Sequence, residues 1–211
     1  MKLYDLDLSG NCYKVRLFAS FIQTPLNIVP VDFMQGEHKG EKLIQLNPWG
    51  EIPIFKDGDV VLRDAQAILV YLANKYGGEA WWPSEAYLQA EVMQWLSVAS
   101  NEIQHGPNMA RLIKKFGLAG DHAQSVENSH KILTLIDNHL SNNYWLAANR
   151  PTIADCAIYP YISVAYEGDV KIDKYTHIKA WMLRLEQLPG YISMPGNNPT
   201  AHESLSFNKR S

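Results

Sequence analysis

Residues 2–15 read KLYDLDLSGNCYKV, and this stretch decides how the first part of the chain folds. Lys2 to Leu6 is a short run of β type, and the five residues that follow it, DLSGN, are turn formers. Apolar residues then recur at helical spacing, so an amphipathic helix is predicted to begin near Cys12. The stretch therefore predicts a strand, a turn and a helix in direct succession.

The residues after this first helix predict a second strand and a second helix. Ile28 to Phe33 reads as a strand, and Pro30 favours an edge of the sheet because proline cannot donate to a central ladder. Gly36 to Gly40 is a predicted loop, and Glu41 to Leu46 is a predicted short helix. The strand–helix alternation thus continues.

A hairpin and a third helix complete the first half. Ile52 to Phe55 and Val60 to Leu62 are strand-like, and the Asp-Gly pair between them predicts a turn over residues 56–59. Asp64 can cap the helix that follows. The order β-α-β-α-β-β-α predicts a small α/β sandwich over residues 1–77.

The second half is predicted to be entirely helical. Residues 77–84 contain two glycines, two tryptophans and a proline and are predicted to link two domains, the second covering residues 86–211. A long helical pattern over residues 86–116 is predicted to kink at Gly106-Pro107. Residues 195–211 are polar and are expected to form no core. Three further helices are predicted over 121–140, 152–166 and 175–188.

Composition excludes several classes of protein. The chain has 211 residues, of which 46% are hydrophobic and 19% charged, and its net charge is -3. Global disorder is not expected from these values. The small negative charge gives no basic surface for nucleic acid or an anionic membrane. The basic residues of Arg111 to Lys115 are expected to form a solvated helix face.

The chain also lacks the marks of secretion or membrane insertion. Its first residues, MKLYD, resemble no signal peptide, and no apolar run approaches the ~18 residues of a membrane helix. Cys12 and Cys156 are too few and too far apart for a disulfide framework or a metal-ligand pair. The cytosol is therefore the expected compartment.

Four segments, taken together, resemble the glutathione transferases over nearly the whole chain. The resemblance is closest to bacterial-type, theta-like members with a serine/asparagine active-site loop. It implies a thioredoxin-like N-terminal domain that binds glutathione and an all-α C-terminal domain. The segments are Ser9 to Val15, Asn47 to Pro53, Leu62 to Ala65 and Arg150 to Asp155.

The resemblance gives the loop that begins at Ser9 the central role. In serine-type members the matching hydroxyl donates a hydrogen bond to the glutathione thiolate, and a helix N-terminus favours the same anion. Ser9 could equally be a plain N-cap, and Asn11 could add an amide donor or only tolerate a tight turn. Ser9 and Cys12 have the spacing of a thioredoxin Cys-x-x-Cys motif in which serine stands in place of the first cysteine, the nucleophile. Dithiol chemistry is therefore not expected, and Cys12 is interpreted as a buried structural residue.

The other segments supply the expected contacts of the peptide. Glu51-Ile52-Pro53 resembles the cis-proline turn whose backbone pairs with the cysteinyl part of glutathione. Asp64-Ala65 corresponds to an acidic-serine pair that holds the γ-glutamyl group, although Ala65 lacks the hydroxyl. Capping alone would also explain Asp64. His38 and Lys39 stand where relatives bind the glycyl carboxylate, or they are solvated loop charges.

A second set of residues lies around the predicted kink, where the family lines its second-substrate pocket: His105, Asn108, Met109 and Arg111. Surface or interhelix contacts would also account for His105 and Arg111. Thr152 to Asp155 forms a capping box with Asp in place of Glu or Gln, and its predicted role is structural.

The leading interpretation is a homodimeric glutathione transferase, without a metal, that directs glutathione thiolate at a small hydrophobic electrophile in detoxification. Two alternatives stay open. One is glutathione-dependent reduction of disulfides or peroxides, and the other is a non-catalytic binding or scaffold protein on the same fold.

Overall fold

The structure, a computed structural model, describes residues 1–195. Within these residues all strands lie before residue 63, and residues 86–195 form only helices and connections. The predicted polar tail lies outside the described residues, apart from Pro195. The elements are β1 (Lys2–Asp5), α1 (Gly10–Phe21), β2 (Asn27–Pro30), α2 (Glu41–Ile44), β3 (Ile54–Asp57), β4 (Val60–Leu62), α3 (Ala65–Leu72), α4 (Ala86–Ser100), α5 (Met109–Phe116), α6 (His122–Leu140), α7 (Ile153–Ser163) and α8 (Thr176–Glu186).

The four strands form one mixed sheet in the order β2-β1-β3-β4. β1 runs parallel to β2 and antiparallel to β3, and β3 is antiparallel to β4. The edge position predicted for the strand with Pro30 is confirmed. That strand ends at Pro30 rather than Phe33, because the Phe33 N–H turns back to bond the Val31 carbonyl.

Several predicted boundaries, including the start of α1 and the hairpin turn, shift by about two residues, as is usual for element ends. α1 begins at Gly10 rather than near Cys12, because the Ser9 side chain caps it. The hairpin turn is confined to Gly58 and Asp59, since Lys56 and Asp57 pair with β4. Gly58 has φ of 59°, which a two-residue hairpin turn requires.

α7 is the central helix of the second half, and all its residues are buried. The predicted capping box at its start is confirmed: the Thr152 N–H donates to Asp155 Oδ2 at 2.9 Å. The sequence did not indicate that Trp181 Nε1 also donates to Asp155 Oδ1, at 2.8 Å. Burial raises the pKa of Asp155 to about 6, although the Thr152 and Trp181 hydrogen bonds oppose the shift. The capping box therefore also ties α7 to α8.

The long helical pattern of residues 86–116 breaks earlier than predicted. α4 ends at Ser100, and residues 104–108 form a π-helical turn that contains Pro107. The regular helix is therefore interrupted from Asn101, five residues before Gly106, and the predicted Gly106-Pro107 position lies inside the π-helical turn. The π-helical turn tolerates Pro107, which has no N–H to donate, because the widened helix already leaves backbone groups without i−4 partners.

The two halves pack through α1 and α7. A Cβ on Gly10 would lie 2.5 Å from the Tyr161 ring, so the first turn of α1 sits directly on α7. The Tyr13 hydroxyl donates to the Ile192 carbonyl at 2.6 Å across the same interface. Trp81, in the connection, stacks on Phe21 with ring centroids 5.2 Å apart. The connection is therefore packed on α1, while the domain limits at 77 and 86 stay a prediction.

Candidate glutathione site at one edge of the sheet

The predicted site segments all lie at one edge of the sheet, namely the side where β1, β2 and β4 end and β3 begins. Tyr4 pairs with Ile54, so the end of β1 adjoins the start of β3. Phe55 pairs with Leu62, so β4 ends at that edge too. β2 is parallel to β1 and also ends there. The loop with Ser9, the loop with His38, the Ile52-Pro53 turn and the Asp64 cap therefore all leave the sheet on the same side.

Ser9 is the N-cap of α1, and its Oγ accepts a hydrogen bond from the Cys12 N–H at 3.2 Å. This confirms the capping role that the sequence left open. Accepting that bond uses an oxygen lone pair and leaves the O–H proton free to donate. The hydroxyl can therefore cap the helix and still offer a proton donor at a helix N-terminus, where an anion is favoured.

Cys12 is completely buried, which confirms its predicted structural character. Burial raises the pKa of its thiol to about 12, and the carboxylate of Asp5 adds to the shift. A thiol is nucleophilic only as the thiolate. Cys12 is therefore a protonated, inaccessible group beneath the Ser9 turn.

The Ile52-Pro53 peptide bond is cis, as the resemblance implied. Asn47, buried before it, closes the preceding turn: its Nδ2 donates to the Glu51 carbonyl at 2.7 Å, and its Oδ1 accepts from the Trp49 N–H at 3.1 Å. Sequence reasoning quoted Asn47 without giving it a role, although an Asn-Pro pair is a turn signal. Among residues 1–195, the backbone of Ile52 forms no hydrogen bond and is free to pair with an extended peptide.

Asp64 caps α3, and its Oδ1 accepts from the Ala67 N–H at 2.8 Å. Its side chain is exposed, so the second carboxylate oxygen can bind a cation. The amides of Ala65 and Gln66 form no hydrogen bond within the described part of the chain. These free N–H groups at a helix start suit a carboxylate, even though Ala65 has no hydroxyl.

His38 and Lys39 lie in a short 3-10 turn beside the cis-proline turn. A Cβ on Gly50 would meet Lys39 Cγ at 3.4 Å and the His38 carbonyl at 3.8 Å, so the two loops touch. His38 is buried and stacks on Phe33 with ring centroids 3.8 Å apart. Burial lowers the pKa of His38, and the neighbouring Lys39 charge adds to the effect. Lys39 is exposed and is the simpler cation for a carboxylate at neutral pH.

Trp49 and Arg63 form a pair at the rim of this edge. The guanidinium carbon of Arg63 lies 3.6 Å from the centroid of the Trp49 ring, and the indole is 63% exposed. The pair bridges the turn before Ile52 and the residue before Asp64.

Lys14 is the least expected residue of the site. It lies on α1, is 1% exposed, and its ammonium is 5.3 Å from the centroid of the Tyr161 ring. Burial lowers the pKa of Lys14 to about 7, against the attraction of Asp64. No periodicity marks a lysine as buried, so sequence reasoning missed it.

Arg111 is not on a solvated helix face, which corrects the interpretation of residues 111–115. It is 2% exposed, its Nε bonds Glu167 at 2.5 Å, and its Nη1 donates to the Leu8 carbonyl at 2.9 Å. Lys115 contacts the same Glu167 carboxylate. Arg111 therefore braces the loop before Ser9 from the helical half.

The other predicted residues near the α4–α5 break differ in how deeply they are buried. Asn108 is buried and donates to Gln104 Oε1 at 2.8 Å, and Met109 is half-buried at the start of α5. His105 is exposed and lines a shallow groove with side chains of α6. The assignment of these residues and Arg111 to a second-substrate pocket stays a prediction.

Residues 1–195 contain neither a candidate metal cluster nor a candidate membrane span. No group of three His, Cys, Asp or Glu side chains in that range could hold a metal ion. Nor does that range hold a helix of the length and apolarity needed to cross a membrane.

The fold and the convergence of these loops define a class: a thioredoxin-like α/β half whose loops with Ser9, His38, Ile52-Pro53 and Asp64 leave the sheet on one side, joined to a helical half. The family models "Glutathione S-transferase, N-terminal domain" and "Glutathione S-transferase, C-terminal domain" match residues 1–74 and 108–189. Maize "Glutathione S-transferase 3" is 31% identical, with 90% of this chain and 91% of the maize protein covered. The chain belongs to the glutathione S-transferase family.

Solved structures agree with this assignment. A glutathione S-transferase from Pseudomonas fluorescens has a TM-score of 0.86 and 31% identity, covering 92% of this chain and 98% of its own. A transferase homologue from Drosophila mojavensis, solved with bound glutathione, has a TM-score of 0.82 and 26% identity, covering 96% and 93% of the two chains.

Proposed function

We propose that this protein is a glutathione transferase of the serine type, which binds glutathione at the described sheet edge and directs its thiolate at a small hydrophobic electrophile. The observation that carries the proposal is the Ser9 hydroxyl. It caps α1 by accepting a hydrogen bond, and a hydroxyl that accepts one bond can also donate its proton to a sulfur at the same helix end.

Each segment at the edge has a part in holding the tripeptide. The free backbone of Ile52, after Glu51 and before the cis Pro53, pairs with the cysteinyl residue. Asp64 binds the γ-glutamyl ammonium, and the free N–H groups of Ala65 and Gln66 bind its carboxylate. Lys39, with His38 beside it, takes the glycyl carboxylate. The Asn11 amide is a second donor toward the sulfur.

Activation of the thiol requires a moderate free energy. A free thiol has a pKa of about 8.5, and one unit of lowering corresponds to about 1.4 kcal/mol. A hydrogen bond to a charged group and the helix end together supply about 2 kcal/mol. These values lower the pKa of the bound thiol to about 7, so about half of it is ionised at neutral pH. Its sulfur attacks the electrophilic carbon, a C–S bond forms, and the leaving group departs with the electron pair of its bond.

The state of Cys12 favours conjugation over thiol transfer through an enzyme cysteine. A mixed disulfide with glutathione would need an accessible thiolate, whereas Cys12 is buried and its pKa is raised to about 12. Detoxification in the cytoplasm is the physiological role that we infer for such an activity.

We also infer that the protein is a homodimer. The Trp81 ring packs against Phe18 and Phe21 of the same chain. Other apolar side chains are available for an interface. Tyr87 of α4 and Leu135 of α6 are exposed and line a groove of about 720 Å³ between the two helices. An apolar face of this kind is typical of an interface between subunits.

Titration of the bound thiol tests the proposed activity. Thiolate absorbance of the glutathione complex should give a pKa at least about one unit below that of free glutathione. Retention on immobilised glutathione and turnover of a generic aryl halide should accompany it. A bound thiol with the pKa of free glutathione would refute the mechanism, and a protein that neither binds nor turns over glutathione would refute the function.

A further inference from the structure

Lys14 is a buried cation whose environment provides no ionic partner in contact with it. Placing a charge in a protein interior is costly unless the charge is paired or hydrogen-bonded. Within the described residues the Lys14 ammonium forms neither a hydrogen bond nor an ion pair, and its side chain is 1% exposed. Packing alone would be served as well by an uncharged side chain.

The position of Lys14 places its charge behind the proposed peptide site. Lys14 follows Gly10 by four residues, so both lie on the same face of α1, and both meet the Tyr161 ring. Long side chains on a helix lean toward its N-terminus, which here is the Ser9 turn. The Asp64 carboxylate at the start of α3 is close enough to attract the ammonium. Lys14 thus lies behind the space between Ser9 and Asp64.

We propose that Lys14 is a positioning residue of the glutathione site, a buried cation whose charge attracts the negative groups of the bound peptide. The inference rests on the proposed function. Glutathione carries a γ-glutamyl carboxylate that should lie at the start of α3, where Ala65 lacks a hydroxyl, and a thiolate that should lie at Ser9. A buried charge acts on both at once because little water screens it.

Few other charges face Lys14. Asp64 faces it from the start of α3, and Tyr161 faces it from α7; burial raises the pKa of Tyr161, so its phenol is neutral. Arg111 of α5 approaches the same tyrosine from farther away. The charge that Lys14 meets on ligand binding is therefore mainly that of the ligand.

This arrangement predicts that a proton is taken up on binding. Burial lowers the pKa of Lys14 to about 7 in the free protein, so much of it is neutral slightly above neutral pH. A bound anion raises that pKa, and the complex takes a proton from solution. Affinity should consequently be highest below the free-protein pKa and should fall as the pH rises through it.

The probe is S-methylglutathione, which has no thiol proton that could be released on binding. Titration calorimetry in buffers of different ionisation enthalpy measures how many protons the complex takes up, at about pH 6 and about pH 8. The wild type should take up a fraction of a proton at the higher pH. Lys14→Met should take up none there and bind about tenfold more weakly at the lower pH. Lys14→Arg keeps its charge and should bind with little pH dependence. Lys2→Met, which removes an exposed charge from the same half, should match the wild type.

Two results would overturn the inference while leaving the proposed function intact. One is a wild type that binds the probe and conjugates glutathione without proton uptake at the higher pH. The other is a Lys14→Met variant whose uptake and affinity equal those of the wild type. His38 cannot account for proton uptake at the higher pH, because its lowered pKa means that it titrates at lower pH. A wild type that binds neither the probe nor glutathione would overturn the proposed function and the inference together.

Discussion

At the scale of single residues, the site depends on groups whose state is set by what surrounds them. Ser9 and Cys12 are three residues apart, yet only the serine faces the edge where the ligand segments meet. The cysteine, facing inward beside Asp5, is held protonated. The same turn therefore contains an available donor and an unavailable nucleophile, and substitutions at the two positions should differ in effect.

Ser9→Ala should lower turnover by roughly ten- to hundredfold, since a hydrogen bond to a charged group contributes about 1.5–3 kcal/mol. Glutathione affinity should change less, because other segments hold the peptide. Steady-state kinetics with an aryl halide would measure this. Asp121→Ala is a matched control, because it removes a comparable N-cap from α6, a helix that contributes no residue to the proposed glutathione site, and should cost about 1 kcal/mol of stability without affecting turnover. Cys12→Ala should also retain turnover, and a dependence on Cys12 instead of Ser9 would indicate thiol transfer.

The charge of Lys14 should make the stability of the free protein depend on pH. Its pKa falls from 10.5 in the unfolded chain to about 7 in the folded protein. Between these values the unfolded chain holds a proton that the folded protein lacks, so stability decreases as the pH falls toward 7. Lys14→Met should therefore be more stable than the wild type by several kcal/mol at pH 7 and below, with a difference that shrinks toward pH 10. Denaturant titrations across this range showing equal stability would contradict a buried lysine.

At the scale of elements, the contact between α1 and α7 fixes the Ser9 turn. Gly10 touches the Tyr161 ring, and Arg111 holds the Leu8 carbonyl from α5. The turn is thus clamped on both sides of Ser9 by residues of the helical half. The orientation of the Ser9 hydroxyl therefore depends on how α1 packs against α7, and a substitution at this contact should change the turnover rate.

Gly10→Ala should reduce both stability and turnover, because its Cβ would lie 2.5 Å from the Tyr161 ring. Overpacking of this kind costs about 1–3 kcal/mol. A double-mutant cycle with Tyr161→Ala provides the control, since the alanine at position 10 should cost much less once the ring is removed. Equal costs in both backgrounds, measured by thermal unfolding, would show that the ring is not the obstacle.

The elements also show how far sequence reasoning reaches. Ser9, Asp64 and the Thr152 capping box were found because short-range capping leaves a local signature. The cis state of Ile52-Pro53 came only from resemblance, since trans is the usual state of such a bond. Lys14 and Arg111 were missed or misplaced because a charged residue on a helix is normally exposed. Their burial is decided by α7 and by Glu167, which lie far away in the chain.

At the scale of the whole molecule, the chain forms two packed halves with the ligand segments at one sheet edge and a separate apolar face on α4 and α6. The two surfaces lie on different elements and involve different residues. Association through the second surface would therefore leave the proposed glutathione edge accessible.

The proposed dimer should be lost when the groove between α4 and α6 is made charged. Sedimentation of the wild type should show a species of about twice 23.9 kDa. Leu135→Asp should shift it toward the monomer, because Leu135 lines the groove from α6 and an uncompensated charge is costly to bury in an interface. Leu118→Asp is the control in the loop after α5, because it places the same charge on another exposed leucine: Leu118 is 47% exposed and Leu135 65%. A monomeric wild type, or a Leu135→Asp variant that still dimerises, would argue against this interface.

The exposed indole at the rim gives this protein an optical signal of its own. Trp49 stands 63% exposed between the cis-proline turn and the Asp64 cap, whereas Trp145 and Trp181 are buried. A tripeptide lying along that edge would displace water from the indole, and the fluorescence emission of Trp49 would move to shorter wavelength. Ligand occupancy could then be followed without a label, in the same cuvette in which the enzyme turns over.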